Sequence, residues 1–269
     1  MPTYDDVLAH PEVDAVYVPL PNAMHREWAV RAASAGKHVL CEKPLATTAA
    51  EAASMADACR TAGVVLAEAW MTPFDPRWSA ALALARDGVV GTVTSVSSTF
   101  TFTIDDGTNH RWLPSQGGGA LLDVGVYCLG AATELWDADP TEVIADRTTA
   151  PSGVDATTSF ELGWSDGRRA VGRCSFVEPE RQCLVMSGTS GRIVLDGDAF
   201  TGGAAARSIG IERSDGRVEV VDIDADDPYR RMIDAFADTV AGRTPWQHPP
   251  GRSVAVLRLM DRIAERSHS

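Results

Sequence analysis

Lysine is almost absent from this chain of 269 residues. Of its 24 basic residues only Lys37 and Lys43 are lysines; all the others are arginines. Arginine keeps a fixed charge and a rigid fork, whereas lysine is a compact donor whose pKa moves with its surroundings. Each of the two lysines therefore invites a chemical explanation. Basic charge as a whole is also scarce. The 37 acidic residues outnumber it and leave a formal net charge of −13, which opposes binding to phosphate backbones or an anionic membrane surface. No apolar run approaches the roughly 20 residues of a spanning helix. No basic start followed by an apolar stretch marks a signal peptide at Met1.

Paired cysteines are missing as well. Cys41, Cys59, Cys128, Cys174 and Cys183 form no C-x-x-C pair, and five is an odd number. That pattern points to a reduced, cytoplasmic protein rather than a disulfide scaffold or zinc site. The six histidines show no tight ligand spacing, so no metal is expected. The G-x-G-x-x-G turn of dinucleotide-binding folds is absent too: Gly117-Gly118-Gly119 lacks the third glycine, since residue 122 is Leu.

What is present is an alternation of strands and helices. Thr3-Tyr4-Asp5-Asp6 resembles a capping box opening a short helix. Buried strands are expected at 14–19, 38–41 and 64–70. Helices are expected at 25–36, stopped by Gly36, and at 48–62, stopped by Gly63. This order predicts βαβ units and a parallel sheet. A helix over 76–88 follows, and then the pattern changes. A long strand at 92–104 and an Ala/Leu-rich helix at 117–136 precede strands at 141–149, 156–164, 168–177, 182–188, 191–196 and 217–223. Residues 202–206 are expected to be a surface loop. Helices at 228–242 and 252–266 finish the chain. The fold class is therefore α/β: a partial Rossmann-type parallel sheet, then an α/β domain with a large open, mostly antiparallel sheet. The boundary is placed near 72–76, giving domains 1–74 and 75–269. With a single short helix before the first strand, the chain looks as though it starts inside a domain. A misplaced start codon is the preferred reading over a real truncation or an unusual small domain.

Five constellations have residue types suited to chemistry, and each has a plainer explanation beside it. Glu42-Lys43-Pro44 lies at the carboxyl end of an expected parallel strand, where open α/β sheets bind ligands; a solvated strand-end ion pair is the alternative. Pro21-Asn22 and His25 end the preceding strand, and Asn22 alternatively caps the next helix. Asp123 and Tyr127 are spaced i, i+4 on one helix face behind three glycines that admit a close neighbour. Asp123 there also suits the helix dipole by itself. Trp70, Phe74, Arg77 and Trp78 form a hydrophobic hinge, either a pocket wall or an interface core. His110, Arg111 and Trp112 precede the glycine-rich helix as substrate contacts or as a solvated loop.

In order and spacing these segments resemble the glucose–fructose oxidoreductase / inositol dehydrogenase (Gfo/Idh/MocA) family. The resemblance runs through D-A-V-Y-V-x-x-P-N-x-x-H, A-G-K-H-V-L-C-E-K-P-L-A, E-A-W-M, G-x-V, G-G-G-A-L-L-D-V-G-V-Y and D-P-Y-R-R-M-I-D-A-F-A-D. Tyr127 stands where many members have His, as in the branch with some xylose and dihydrodiol dehydrogenases. The resemblance implies an oxidoreductase that passes hydride between NAD or NADP and a secondary alcohol of a sugar, polyol or cyclic diol. It implies a homodimer or homotetramer formed through the open sheet. It assigns catalysis to Lys43, Asp123 and Tyr127, with Lys43 lowering the Tyr127 pKa. Cofactor contacts fall to Pro21, Asn22, His25, Glu42, Lys43 and Pro44, and substrate contacts to Trp70, Phe74, Arg77, Arg111 and Trp112. The chain departs from the family in missing the first βαβ unit with its glycine turn. The rival readings are a non-catalytic regulator or relic of the same family and an NAD-dependent glycosidase.

Overall fold

The computed structural model describes residues 3–268. Thr3 caps helix α1 (Tyr4–Ala9) and exchanges hydrogen bonds with Asp6, which is the capping box expected from the sequence. Strands β1 (Ala15–Val18), β2 (His38–Glu42) and β3 (Leu66–Ala69) form a parallel sheet in that order. Between them run α2 (Asn22–Ser34) and α3 (Ala49–Ala62), the latter ended by left-handed Gly63. Helix α2 begins three residues earlier than expected. Pro21 is its N-cap, and the Asn22 side chain leaves the helix to donate to the Gly117 carbonyl at 2.8 Å.

Both faces of the small sheet are covered. Val39, Cys41 and Leu66 join the main core with Ala29, Ala32 and Met55 of α2 and α3. Leu40 and Ala67 point the other way, toward Met232 and Phe236. This is the pattern of a parallel strand buried on both sides.

A 3-10 turn at Thr72–Phe74 leads into α4 (Pro76–Arg86), capped by Asp75. Strand β4 (Val93–Thr103), helix α5 (Ala120–Leu135) and strands β5 (Glu142–Thr149), β6 (Asp155–Gly163), β7 (Arg169–Ser175), β8 (Val177–Gly188), β9 (Gly191–Asp196), β10 (Arg207–Arg213) and β11 (Val218–Ile223) follow. After α6 (Pro228–Val240) and α7 (Pro250–Arg266) comes the two-residue β12 (Ser267–His268). The large sheet has nine strands in the order β11-β10-β9-β8-β4-β7-β6-β5-β12. Only the β4–β7 and β5–β12 pairs are parallel. Strand β10 is missing from the sequence-based expectation. Helix α5 lies on the inner face of this sheet against β4, β6 and β7. In β7, Ala170 and Cys174 face it while Arg169, Val171 and Arg173 face outward, the period-2 alternation of a half-buried strand.

The last two helices do not stay with the large sheet. Helix α6 covers β2 and β3 through Met232 and Phe236. Helix α7 packs on α3, where Asp261 accepts the Ala49 N–H at 3.0 Å. The unit around the small sheet therefore takes elements from both ends of the described chain. Among the described residues no helix is long and apolar enough to cross a membrane.

Candidate active site

Lys43 follows the last residue of β2, and its peptide bond to Pro44 is cis. Its ammonium donates to the Asp123 carboxylate and to the Asp123 carbonyl, both at 2.8 Å. Asp123 sits in the first turn of α5, and its second oxygen accepts from Arg111 Nε at 2.7 Å. One turn on, the Tyr127 ring lies 5.2 Å from the Lys43 ammonium. Trp70, Phe100 and Phe200 close around that ring at 6.5, 5.1 and 6.0 Å between centroids. The Tyr127 hydroxyl forms no hydrogen bond among the described residues. It is the acid–base group of the cluster without a partner, whereas both Asp123 carboxylate oxygens are engaged.

The electrostatics follow from burial set against charge. Burial alone would raise the Asp123 pKa, but Lys43 and Arg111 overcome it and hold the carboxyl below its usual range. Burial would lower the Lys43 pKa, yet Asp123, with Tyr127 and Glu42, turns the shift upward. Tyr127 corrects the sequence-based expectation. Lys43 does pull its pKa down, but burial is the larger effect and Asp123 adds to it, so the phenol is pushed up to about 12. A buried phenolate is more costly than one neighbouring ammonium offsets, because that ammonium is already engaged by Asp123.

Beside Tyr127, Phe100 continues into a cavity of about 550 Å³ lined also by Phe102, Thr103, Glu180, Gln182 and Thr201. Phe100 pairs with Gln182 across β4 and β8, so both side chains lie on the inner face. Gln182 is held by Phe200, Thr201 and the Thr201 hydroxyl. Two aromatic rings with a few polar groups suit a small polyhydroxylated molecule.

The other expected site residues divide. Glu42 remains at the site, accepting from the Tyr17 hydroxyl at 2.5 Å and from the Lys43 N–H at 3.2 Å. Arg111 is partly open beside Asp123. Trp112 is half-buried, edge-on to Phe176 at 5.5 Å. Pro21 and Pro44 shape the turns that end β1 and β2. His25 is fully buried, and its ring nitrogens lie 3.0 Å from the Pro44 carbonyl and 2.7 Å from that of Leu20. It ties these two turns together and has no face left for a ligand. The Asn22 amide is likewise committed to Gly117.

Trp70, Phe74 and Arg77 need correction as substrate contacts. Trp70 and Phe74 are buried in apolar clusters. Each nitrogen of the Arg77 guanidinium donates to a backbone carbonyl, of Ser208, Gly197 and Asp196. The three glycines also admit protein rather than ligand. A Cβ on Gly117 would lie 2.8 Å from Thr47, one on Gly118 2.3 Å from the Arg111 carbonyl, and one on Gly119 2.2 Å from Asp155.

Sequence reasoning passed over Tyr17, Tyr229 and the cavity wall. Tyr229, near the start of α6, lies within electrostatic reach of Glu42 and Lys43. Its position in the D-P-Y segment was the available signal. The cavity wall needs strand register and has no local signal.

Comparison with known proteins gives concordant findings. The description "Oxidoreductase family, NAD-binding Rossmann fold" matches residues 1–69, and "GFO/IDH/MocA C-terminal domain" matches residues 78–194. A D-xylose 1-dehydrogenase (NADP(+)) of Haloferax volcanii is 39% identical over 270 residues, covering 99% of this chain and 82% of that protein. A dTDP-3,4-didehydro-2,6-dideoxy-alpha-D-glucose 3-reductase of Saccharopolyspora spinosa is 36% identical, covering 91% of this chain and 74% of its own. The structure of KijD10, a 3-ketoreductase from Actinomadura kijaniata in complex with NADP and TDP-benzene, superposes with a TM-score of 0.93 at 30% identity, covering 100% of this chain and 82% of that one. Solved variants of KijD10 change one tyrosine to phenylalanine and one lysine to alanine or glutamate. Those two positions are as far apart in sequence as Tyr127 and Lys43 are here.

Proposed function

The chain belongs to the Gfo/Idh/MocA family of nicotinamide-dependent oxidoreductases, and from that premise we propose that Lys43, Asp123 and Tyr127 carry proton transfer to and from a secondary alcohol of a sugar, polyol or cyclic diol. The observation behind this reading is the Lys43 ammonium, pinned by Asp123 and 5.2 Å from the ring of Tyr127, whose hydroxyl has no partner among the described residues.

The donor set suits the nicotinamide end of NAD or NADP. The Leu20–Asn22 turn, the Glu42–Pro44 turn and Lys43 converge at the carboxyl ends of parallel strands, where such cofactors are met. When bound, the nicotinamide gives or takes the hydride. The protein's own part is orientation and the proton. Asp123, charged and held by two cations, fixes Lys43. Lys43 stays charged and offers its field to the oxygen being reduced or oxidised. Tyr127 keeps its proton at neutral pH and gives it to that oxygen as a carbonyl becomes an alcohol. In the reverse direction it must first lose that proton, so alkaline solution favours oxidation.

The cavity favours an uncharged substrate over a nucleotide sugar. Its lining contains Glu180 and no cation. Arg173 and Arg181 lie on the outer face of the sheet, and Arg111 is paired with Asp123. A diphosphate there would meet the Glu180 carboxylate and no cation among the lining residues.

The division into units 1–74 and 75–269 belongs to the same reading, amended by α6 and α7 returning to the first unit. So does a cytoplasmic location, supported by five unpaired cysteines. A homodimer or homotetramer through the outer sheet face is supported by exposed Ile144, Val171, Val218 and Val220. No observation favours the regulator or the glycosidase.

Replacing Tyr127 by Phe tests the reading. Turnover of NAD(P)⁺ with a panel of aldoses, inositols and cyclic diols should fall about 10²-fold or more, with the unfolding midpoint little changed. Near-normal turnover would remove Tyr127 from the mechanism.

A further inference from the structure

A second polar cluster lies behind the site, buried in the core. Glu68 on β3 is 2% exposed, as is His248 in the segment before α7. One Glu68 oxygen accepts the Leu45 N–H at 2.8 Å, and the other accepts the Ser253 hydroxyl at 2.6 Å. His248 Nε2 stands 3.5 Å from that second oxygen and its Nδ1 3.6 Å from Glu134 Oε1, ion-pair distances at which neither nitrogen has a hydrogen-bond partner. Glu134 lies near the end of α5, two turns beyond Tyr127 on the same face. Between them sits Gly130, where a Cβ would be 2.7 Å from the Trp70 ring. Trp70 therefore reaches both the Tyr127 ring and the His248 ring, the latter at 4.9 Å.

The cluster spans two elements that catalysis must keep in register. Leu45 is two residues after Lys43, is fully buried, and gives its N–H to Glu68. Helix α5 carries Asp123 and Tyr127. We propose that the Glu68–His248–Glu134 chain holds the Lys43 turn against helix α5, and that His248 is a positioning residue for the reaction. Placing ionisable groups in and at the rim of a core is costly before pairing. An apolar trio would fill the same space without that penalty, but could not fix one orientation of the turn N–H.

The charge on the imidazole is central. With a proton on each nitrogen it carries a positive charge between the two carboxylates and attracts both; neutral, it can donate to only one. The charged groups around it are Glu68 from β3, Glu134 from α5, Arg252 from α7 and Arg86 from α4, the two arginines acting through Glu134. Asp137 and Asp139 face it across a cavity of about 340 Å³. Burial disfavours the imidazolium, and Glu134 and Glu68 outweigh it, so the His248 pKa is raised. The link is then complete below the ordinary histidine range and is lost as pH rises through the raised value.

The scarcity of lysine supplies the test. Selective ¹⁵N-lysine labelling gives two backbone amide signals, told apart with Lys37→Arg. The Lys43 signal should move as pH rises from about 6 to about 9, the range in which imidazoles titrate. In His248→Gln that movement should vanish while His25, which also touches the turn, is still present. In Glu134→Gln, at the rim of the cluster, the midpoint should fall because one carboxylate is gone. A Lys43 signal that stays still in the unaltered chain overturns the proposal, as does one that moves alike in His248→Gln. Should that variant not fold, an unchanged midpoint in Glu134→Gln overturns it equally. In turnover, His248→Gln should lose about tenfold in kcat with KM kept within about twofold, the mark of misplacement rather than lost binding. The proposal rests on Lys43 acting in the site, but the amide readout needs no catalysis. Failure of Tyr127→Phe and failure of the relay are therefore separate results.

Discussion

Besides the Glu68–His248–Glu134 group, two ion clusters join parts of this molecule, and each includes a segment that looked functional in the sequence. One is Lys43–Asp123–Arg111. The other is Asp75–Arg207, with Arg77 beside it, where Asp75 takes both hydrogen bonds from one Arg207 nitrogen at 2.7 and 2.8 Å. Asp75 also caps α4, and Arg77 is consumed by three carbonyls of the β9–β10 region. At the first cluster the Tyr127 hydroxyl remains unpaired, and Phe100, packed on its ring, lines a cavity. At the second, Asp75 and Arg77 are engaged within the protein, and Arg207 Nε, which has no partner, is buried out of a solute's reach. Residue type is alike in the two clusters; what separates them is whether unspent hydrogen-bonding capacity lies within reach of a ligand.

Substitutions should therefore divide cleanly between stability and turnover. The largest effect is expected at the second cluster. Asp75→Ala strands Arg207 and removes the α4 cap, and should cost about 3–5 kcal/mol of unfolding free energy in urea titrations. Turnover per folded molecule should stay within about twofold. A large loss of kcat at unchanged stability would erase the contrast.

Lys43→Ala should behave in the opposite way, with kcat reduced about 10²-fold, or about 2.7 kcal/mol. Asp123 keeps Arg111 as a partner, so the fold should survive. Steady-state kinetics beside thermal unfolding reads both quantities. Lys43→Arg should not restore activity, because a planar fork cannot occupy the place of a compact ammonium.

How much of this was legible in the sequence depends on whether the cause was local. Strands β1 to β3 and their helices were readable because continuous apolar runs are bounded by glycines in place. Strand β10 was not. Ile209 and Ile211 are its buried positions, and arginines at both ends with Gly210 between them make it look like a continuation of the preceding loop. Asp123 and Tyr127 were legible from i, i+4 spacing. Glu68 and His248 were not, since only the packing of α7 brings them together. Arg77 misled because nothing local reveals that three carbonyls await it.

The pH dependence sharpens the contrast at the first cluster. Since burial raises the Tyr127 pKa to about 12, the phenol keeps its proton at neutral pH, as its proposed role in carbonyl reduction requires. Alcohol oxidation should gain with each step of pH from about 6 to about 10, and reduction should not. Measuring kcat in both directions decides this. A plateau of the oxidation rate already near neutrality would mean that a different group accepts the proton.

The smallest effect is expected at the mouth of the cavity, where capacity is unspent but solvent is near. Glu180 is exposed there and makes no hydrogen bond among the described residues. As a charged acceptor for a sugar hydroxyl it should contribute about 1 kcal/mol, reduced by its exposure from the value of a buried charged bond. Glu180→Gln should then raise KM for a neutral sugar by roughly fivefold and leave kcat alone, since the carboxylate binds substrate and transition state alike. For a nucleotide sugar the same substitution should lower KM, because it removes a repulsive charge. If KM for the nucleotide sugar rises instead, the cavity receives that substrate by contacts other than charge, and the preference for an uncharged substrate fails while the roles of Lys43 and Tyr127 stand.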